Sequence, residues 1–487
     1  MVKDIVPKAK AGLPADFLWG FATAAYQIEG ATTADGRGPS IWDQFCATPG
    51  KIADGTSGAV ACDSYHRTAQ DIALLKKTGA RAYRFSVSWS RIIPLGGRHD
   101  PVNPAGVAYY VQLVDDLLTA GIVPFVTLFH WDLPEALYRR YGGFLNKDEF
   151  VADFAHYARV VFDALGPRVK HWITFNEPFC SAILGYHLGI HAPGHTSDRT
   201  RSPVGDGSTE PWIVGHNILI AHATAVKVYR EEFKAQAGGE IGITLNGDWT
   251  EPWDPDDARD HLACERKIEF AISWFADPIY FGHYPASMVS QLGDRLPRFS
   301  QEESRLVAGS NDFYGMNHYC ANFVRHRDGP ADVLDIAGNL DILMEDKFGR
   351  AIGPETQSAW LRPHAPGFRK LIKWLSDRYG RPKIYVTENG TSIKGENELP
   401  MEKILQDDFR VEYFRSYIQA MAEAVAEDGC DCRGYMAWSL MDNFEWAEGY
   451  ETRFGATYVD YDNGQQRYPK KSALEIGKIF GQYIGKV

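Results

Sequence analysis

Short apolar runs rich in β-branched and aromatic residues alternate along this chain with longer stretches whose apolar positions recur at helical spacing. The short runs predict strands at 17–24, 81–89, 123–130, 171–177, 240–246, 313–319, 383–388 and 434–440. Helical spacing is clearest over 64–78, 105–120, 147–165, 212–235, 259–275, 367–378 and 407–426. Eight strands separated by helices, with no second composition regime, predict an α/β fold: one (β/α)8 TIM barrel over residues 1–487. Two longer connections, 193–210 and 325–358, are rich in Gly, Pro, Ser and charge and read as loops rather than interdomain linkers. Both follow strands, which puts them on the face where such barrels keep their active sites.

Length alone would favour two domains, since 487 residues exceeds a usual compact unit, but α/β barrels often reach this size undivided. Apolar residues at 45% and charged residues at 23% are ordinary for a globular enzyme. A net charge of −12 with no Lys/Arg-rich run argues against nucleic acid and anionic membrane as partners. The seven cysteines are odd in number, and Cys430 and Cys432 are too close in sequence for an easy bridge, so free thiols in a reducing compartment are expected. The segment 1–19 is broken by charges, Pro7 and Pro14 and has no apolar leader core, and no run reaches membrane-spanning length. The cytoplasm is the expected compartment; oligomeric state cannot be read from the chain.

The predicted strands end in chemically loaded residues. His130 and Trp131 follow the third, Asn176 and Glu177 the fourth, Asn317 and Tyr319 the sixth, Glu388 and Asn389 the seventh, and Trp438 lies on the eighth. Any one of these could be a solvated strand end, because Asn and Asp are common where strands become loops. Their recurrence on most strands is harder to explain so, since a barrel brings these ends to one pocket. Glu177, in Thr174–Pro178, and Glu388, in Thr387–Gly390, would sit on strands at opposite sides of the barrel. Taken singly, each could instead be an ion pair or a helix cap. Facing carboxylates are what glycosidic cleavage requires, one protonating the leaving oxygen and the other attacking or activating water. Thirteen tryptophans, among them Trp89, Trp131, Trp438 and Trp446 at strand ends, suit the apolar face of a pyranose, whereas Trp212 and Trp374 in helical stretches read as core.

These residues resemble glycoside hydrolase family 1 over essentially the whole chain. The markers occur in order: Phe17–Gly20 with Ala22–Gly30, Thr174–Pro178, Val386–Gly390 and Trp438–Trp446. The stretch 353–363 and the absent leader look most like the intracellular fungal β-glucosidases of that family. The resemblance implies a retaining enzyme that removes terminal β-D-glucosyl residues from cellobiose, short cello-oligosaccharides and aryl β-glucosides. Glu177 would be acid/base and Glu388 nucleophile, with Arg84 and Tyr319 contacting the nucleophile and Asn176 on the sugar 2-hydroxyl. Gln27, His130, Trp131, Glu445 and Trp446 would hold the non-reducing-end sugar, with Asn317 also among the substrate contacts, Trp438 beneath the ring and Trp360 as platform for the leaving group. Retention implies carboxyls about 5–5.5 Å apart and needs no metal or organic cofactor. His318 stands where many members have a second Tyr, which leaves the contacting Tyr319 in place.

Family variants can be tested on the same residues. Thioglucoside-cleaving members carry Gln at the acid/base, and pseudo-enzymes lack one or both carboxylates; both acids are present here. Glu445 would repel the phosphate of a 6-phosphoglycoside. A β-galactosidase or β-fucosidase using the same pair stays open, as do a non-catalytic carbohydrate-binding barrel and an unrelated metal-dependent barrel hydrolase. His187, His191 and His195 lack a Cys or carboxylate beside them to complete a usual metal set, and Cys180 has no activating partner in sequence, so it is expected to pack near the pocket.

Overall fold

The computed structural model describes residues 11–486; the part of the leader reading that concerns 1–10 lies outside the described residues. Eight parallel strands close into a barrel: β1 (Leu18–Ala22), β2 (Ala82–Ser86), β3 (Val123–Phe129), β4 (His171–Asn176), β5 (Glu240–Asn246), β6 (Tyr314–Asn317), β7 (Ile384–Asn389) and β8 (Cys432–Trp438). Each strand pairs with the next in chain order, and β1 closes the ring against β8 from Leu18↔Gly434 to Ala22↔Trp438. β2 and β7 are buried along their full length, as expected when helices cover one face and the barrel interior the other.

The helices follow from capping and periodicity. Asn146 accepts a hydrogen bond from the Glu149 amide and starts the helix Lys147–Leu165, whose Asp148 and Glu149 favour the positive end of the dipole. Phe150, Phe154, Tyr157, Val161 and Leu165 recur at helical spacing and are buried together. The helix Ser64–Thr78 ends at Gly79, in the left-handed conformation that glycine adopts without a Cβ clash. The final helix, Lys471–Gly481, packs on the helices Asp408–Ala426 and Ser64–Thr78, and just after it Ile484 bridges Leu13.

Two features depart from the sequence reading, and one loop agrees with it. The stretch 325–358 is not wholly irregular, because Leu340–Leu343 pairs antiparallel with Ala321–His326, which pairs parallel with Trp249–Pro252. This three-stranded sheet grows from the segments that follow β5 and β6, and Val324 and Leu340 anchor it on Ala263 and Cys264 of the next helix. The helical stretches expected at 212–235 and 259–275 each run on through one wide π-type turn, Tyr229–Phe233 and Glu269–Ser273. A single inserted residue per turn leaves the apolar periodicity readable while shifting its phase. The connection 193–210 stays without regular structure until the helix Glu210–Val228.

All seven cysteines are free. Among the described residues no helix is long and apolar enough to cross a membrane.

Candidate active site

Bulges occur where the sheet must aim side chains into the mouth of the barrel. The pairing of β4 with β5 shifts between Ile173 and Asn176, that of β6 with β7 between Val386 and Glu388, and that of β7 with β8 between Val386 and Asn389. Around the ring β4 and β7 are separated by β5 and β6, three places apart rather than diametrically opposed. Glu177, directly after β4, has φ 47° and ψ 67°, a left-handed conformation disfavoured for a side chain with a Cβ. It opens the helix Pro178–Tyr186, yet its carboxylate does not cap that helix. The carboxylate takes its hydrogen bonds from Asn317 and Cys180 instead.

Glu388 is held by two strong donors. Arg84 Nη1 donates to Oε1 at 2.6 Å and Tyr319 Oη to Oε2 at 2.6 Å. Arg84 is wholly buried; it also donates to the Thr387 carbonyl, to Thr127 Oγ1 and, through Nη2, to Asn176 Oδ1 at 2.6 Å. Glu177 has only neutral partners: Asn317 Nδ2 donates to Oε1 at 2.6 Å and the Cys180 thiol to Oε2 at 3.0 Å. The two carboxylates are linked through Asn317, which lies in register with Glu388 and donates its second amide hydrogen to Asn176 Oδ1 at 3.1 Å.

The environments separate the two acids. Burial, reinforced by the charge of Glu388, pushes the Glu177 carboxyl up to about 8. Burial also raises Glu388, but Arg84, Tyr319 and Asn317 all oppose that rise by favouring its charged form. The ion pair with Arg84 therefore makes Glu388 the carboxyl that carries the charge, and Glu177 the one that keeps a proton. Burial and the charge of Glu388 raise the Tyr319 phenol, which stays an O–H donor. Burial followed by the charge of Arg84 holds the His130 imidazole neutral.

A second group of residues forms one wall of the site. Gln27 Nε2 donates to Asn443 Oδ1 at 3.0 Å, to the Phe444 carbonyl at 2.9 Å and to Glu445 Oε2 at 3.5 Å. The His130 ring lies nearly parallel to Trp438 and Trp446, with centroids 5.8 and 5.9 Å away, and Trp131 packs on Trp446 at 4.6 Å. Trp131 and Trp446 both have positive φ, 77° and 51°. Asn176 Nδ2 lies 3.0 Å from His130 Nε2, and its orientation is fixed because Oδ1 receives Arg84 and Asn317. The neutral His130 ring therefore carries its hydrogen on Nδ1. That atom and Gln27 Oε1 are buried and take no hydrogen bond from the protein. Glu445 is pushed well above the usual carboxylate range by burial and by Glu448, Glu388 and Glu177. Trp360 is 46% exposed and meets Tyr319 edge-on at 5.8 Å.

The loop carrying Glu445 and Trp446 is pinned from behind by buried charges. Lys470 bonds Glu396 at 2.8 Å and Asp442 at 3.0 Å, Arg410 bonds Glu396 at 2.9 Å and Asp407 at 2.7 Å, and Arg453 bonds Asp442 at 2.7 Å. Three cations thus face three carboxylates, so the charges of this cluster balance one another.

The residues expected at the site lie in or beside this cluster except Trp89. That indole is buried against Phe150, Phe154 and Tyr157 and donates to the Gly96 carbonyl, so it is core rather than a sugar platform. One further residue changes partner. Asn317, expected among the substrate contacts, spends both amide hydrogens on Glu177 and Asn176, and its carbonyl accepts from Thr387 Oγ1 at 2.7 Å. Cys180 touches Glu177 directly rather than merely packing nearby. Thr127 and Thr244, which support Arg84 and Thr387, carry no recognisable signal in the sequence, and the bond that Thr387 of the Glu388 motif gives Asn317 emerges only from strand register. The three loop histidines have separate partners: His187 the Gly207 carbonyl, His195 both Glu210 and Tyr138, and His191 the rings of Trp42, Trp131 and Trp446. Among the described residues no three His, Cys, Asp or Glu side chains are grouped as metal ligands.

Comparison with known proteins agrees with this fold. The chain is 57% identical over 474 residues to beta-glucosidase 1B of Phanerodontia chrysosporium, covering 97% of this chain and 86% of that protein. A crystal structure of a family 1 beta-glucosidase from the fungus Humicola insolens, solved in complex with glucose, superposes with a TM-score of 0.97 at 70% identity, covering 98% of this chain and all of that one. The beta-glucosidase from Trichoderma harzianum superposes with a TM-score of 0.95 at 64% identity, covering 99% of this chain and 100% of its own. Residues 9–479 match the family model of glycosyl hydrolase family 1, and the chain belongs to that family.

Proposed function

We propose that the chain is a retaining β-glucosidase in which Glu388 is the nucleophile and Glu177 the general acid/base. The observation that carries the reading is the asymmetry of the two buried acids: Glu388 is clamped by Arg84 and Tyr319, while Glu177 has only the neutral donors Asn317 and Cys180. A nucleophile must be ionised and a general acid protonated at the same pH, and this difference in partners supplies both states.

In the first step Glu388 attacks the anomeric carbon while Glu177 gives its proton to the departing oxygen. Glycosylation removes the negative charge of Glu388, and with it one cause of the raised Glu177 pKa. Glu177 then takes a proton from water, which attacks the anomeric carbon and returns Glu388 to its ionised form. Water leaves the sugar with its original β configuration.

Gln27, His130, Trp131, Glu445 and Trp446 are assigned to the glycone, with Trp438 beneath the ring. In support, Gln27 Oε1 and the Nδ1 hydrogen of His130 are free to bond sugar hydroxyls, and the indoles offer an apolar surface. Asn176 is assigned to the 2-hydroxyl and exposed Trp360 to the leaving group. The substrates proposed are cellobiose, short cello-oligosaccharides and aryl β-glucosides.

Proton NMR of the purified protein with 4-nitrophenyl β-D-glucoside tests the assignment by the anomer released before mutarotation. β-Glucose first is the expected result. α-Glucose first would recast Glu388 as a base acting through water. Turnover only of the galactoside or fucoside would move the specificity, and turnover of none would favour a binding barrel.

A further inference from the structure

Both oxygens of Glu177 are hydrogen-bonded, so the place of the catalytic proton is set by what each neighbour can give or receive. Oε1 faces Asn317 Nδ2 at 2.6 Å. That amide cannot flip: its Oδ1 accepts from Thr387, and Nδ2 also serves Asn176 Oδ1, which receives Arg84 as well. An amide nitrogen has only hydrogens to offer, so Oε1 always receives one from a donor that cannot turn away, and protonating that oxygen weakens a bond that nothing replaces.

Oε2 faces the Cys180 thiol at 3.0 Å. A thiol both donates and accepts, and it can exchange the two roles by rotation about its Cβ–Sγ bond. Asn246 Nδ2, at the end of β5, lies 3.6 Å from Sγ and supplies a donor to the sulfur. Local geometry brings the thiol to this position: Glu177 is the cap of the helix Pro178–Tyr186 and Cys180 its third residue, whose amide donates to the Glu177 carbonyl at 3.0 Å.

We propose that Cys180 is a positioning residue for the acid/base carboxyl: its thiol donates to Oε2 of ionised Glu177 and turns away when that oxygen is protonated, so that Oε2 is the oxygen that delivers and recovers the catalytic proton. The proposal rests on the reading of Glu177 as acid/base and deepens it. In glycosylation the Oε2–H bond breaks and the hydrogen joins the leaving oxygen, which keeps the electron pair of the broken anomeric bond as Glu388 forms the new one. The S–H then swings onto the bare Oε2. In deglycosylation a water hydrogen passes to Oε2, the water oxygen bonds the anomeric carbon, and the electron pair of the glycosyl–Glu388 bond returns to Glu388. A weak donor suits this alternation. A strong, fixed donor such as the Asn317 amide would hold Oε2 as firmly as it holds Oε1 and oppose its protonation.

The other charged or titratable groups acting on this pair are Glu388 on β7, Arg84 on β2, Tyr319 after β6, Glu445 after β8 and Asp248 after β5. Substitution of Cys180 alters none of them, so the basic limb of the kcat/KM profile isolates the thiol. In Cys180→Ala the ionised state of Glu177 loses a donor, and the basic limb should move to higher pH by about half a unit, ~3-fold in the ionisation constant. In Cys180→Ser a stronger donor replaces the thiol, and the limb should move to lower pH. Opposite shifts in two variants with native circular dichroism are the expected result, and loss of packing would not produce them. Basic limbs that coincide with wild type, or that move together, would overturn the proposal. Glu177→Gln assayed with 2,4-dinitrophenyl β-D-glucoside, whose leaving group needs no acid, separates the two levels of the argument. Persistence of the wild-type basic limb in that variant would overturn the acid/base reading itself rather than the role of the thiol.

Discussion

The guanidinium of Arg84 reaches Glu388 Oε1 at 2.6 Å from 304 residues earlier in the chain, and its other terminal nitrogen reaches Asn176 at the same distance. One planar group therefore fixes both the ionised acid and the residue assigned to the sugar 2-hydroxyl. Lysine has the charge but not the fork. Arg84→Lys is expected to lower kcat by about 100-fold, the usual effect of displacing a reacting group by about an ångström. Single-turnover kinetics with an aryl glucoside would check this, with the loss falling on the glycosylation step.

Glu388→Gly should reduce hydrolysis by about 10⁴-fold or more, because no other carboxylate can form the covalent intermediate. The fold should persist, since the deletion leaves Arg84 its contacts with Thr387, Thr127 and Asn176. Steady-state rates beside a thermal melt give the answer, and near-wild-type turnover would remove Glu388 from its assigned role.

Glu177→Ala should cost about 10²–10⁴-fold on cellobiose, whose leaving group needs protonation, and far less in the glycosylation of 2,4-dinitrophenyl glucoside. Azide, a nucleophile that needs no base, should restore part of the rate and yield β-glucosyl azide. A product of α configuration, or no rescue at all, would count against the double displacement.

The pH profile follows from the two environments. Activity requires Glu177 protonated and Glu388 ionised, so kcat/KM should fall as pH rises through about 8. It should fall again in acid at a pH above the usual carboxylate range, because burial raises Glu388 too. The same shift bears on stability. The Glu177 pKa is higher folded than unfolded, so its contribution is full below the unfolded value near 4.5 and is lost as pH rises toward 8. Glu177→Gln, having no such proton to lose, should melt less steeply with rising pH than wild type over that window.

Lys470→Met should destabilise the protein by about 3–5 kcal/mol, because it leaves Asp442 and Glu396 each short of a cation in the core. Urea unfolding measures the loss. Asp442 belongs to the loop that carries Glu445 and Trp446, so KM should rise in the same variant. An unchanged KM would separate the buried charges from the glycone wall.

The barrel was legible because eight buried parallel strands read as apolar runs and the helices between them keep their period. The carboxylate pair was legible because barrel topology converts strand ends into neighbours. What the chain conceals is register. A one-residue bulge between Val386 and Glu388 turns a side chain without altering composition, and a π-type turn at Tyr229–Phe233 leaves the same apolar pattern around it. The part played by Asn317 was hidden for the same reason, since only its register with Glu388 brings its amide to both Glu177 and Asn176. The three-stranded sheet was hidden because Leu340–Leu343 is short and lies within a stretch of turn residues.

Gln27 meets its partner Asn443 across 416 residues, beside the seam where β1 joins β8. A ribosome adds about 5–20 residues per second, so the first half of the glycone wall waits tens of seconds for the second to be made. Until β8 emerges, β1 has an open edge. The wall that Gln27 shares with Asn443 can therefore assemble only when that edge is paired, as the last seam of the barrel closes.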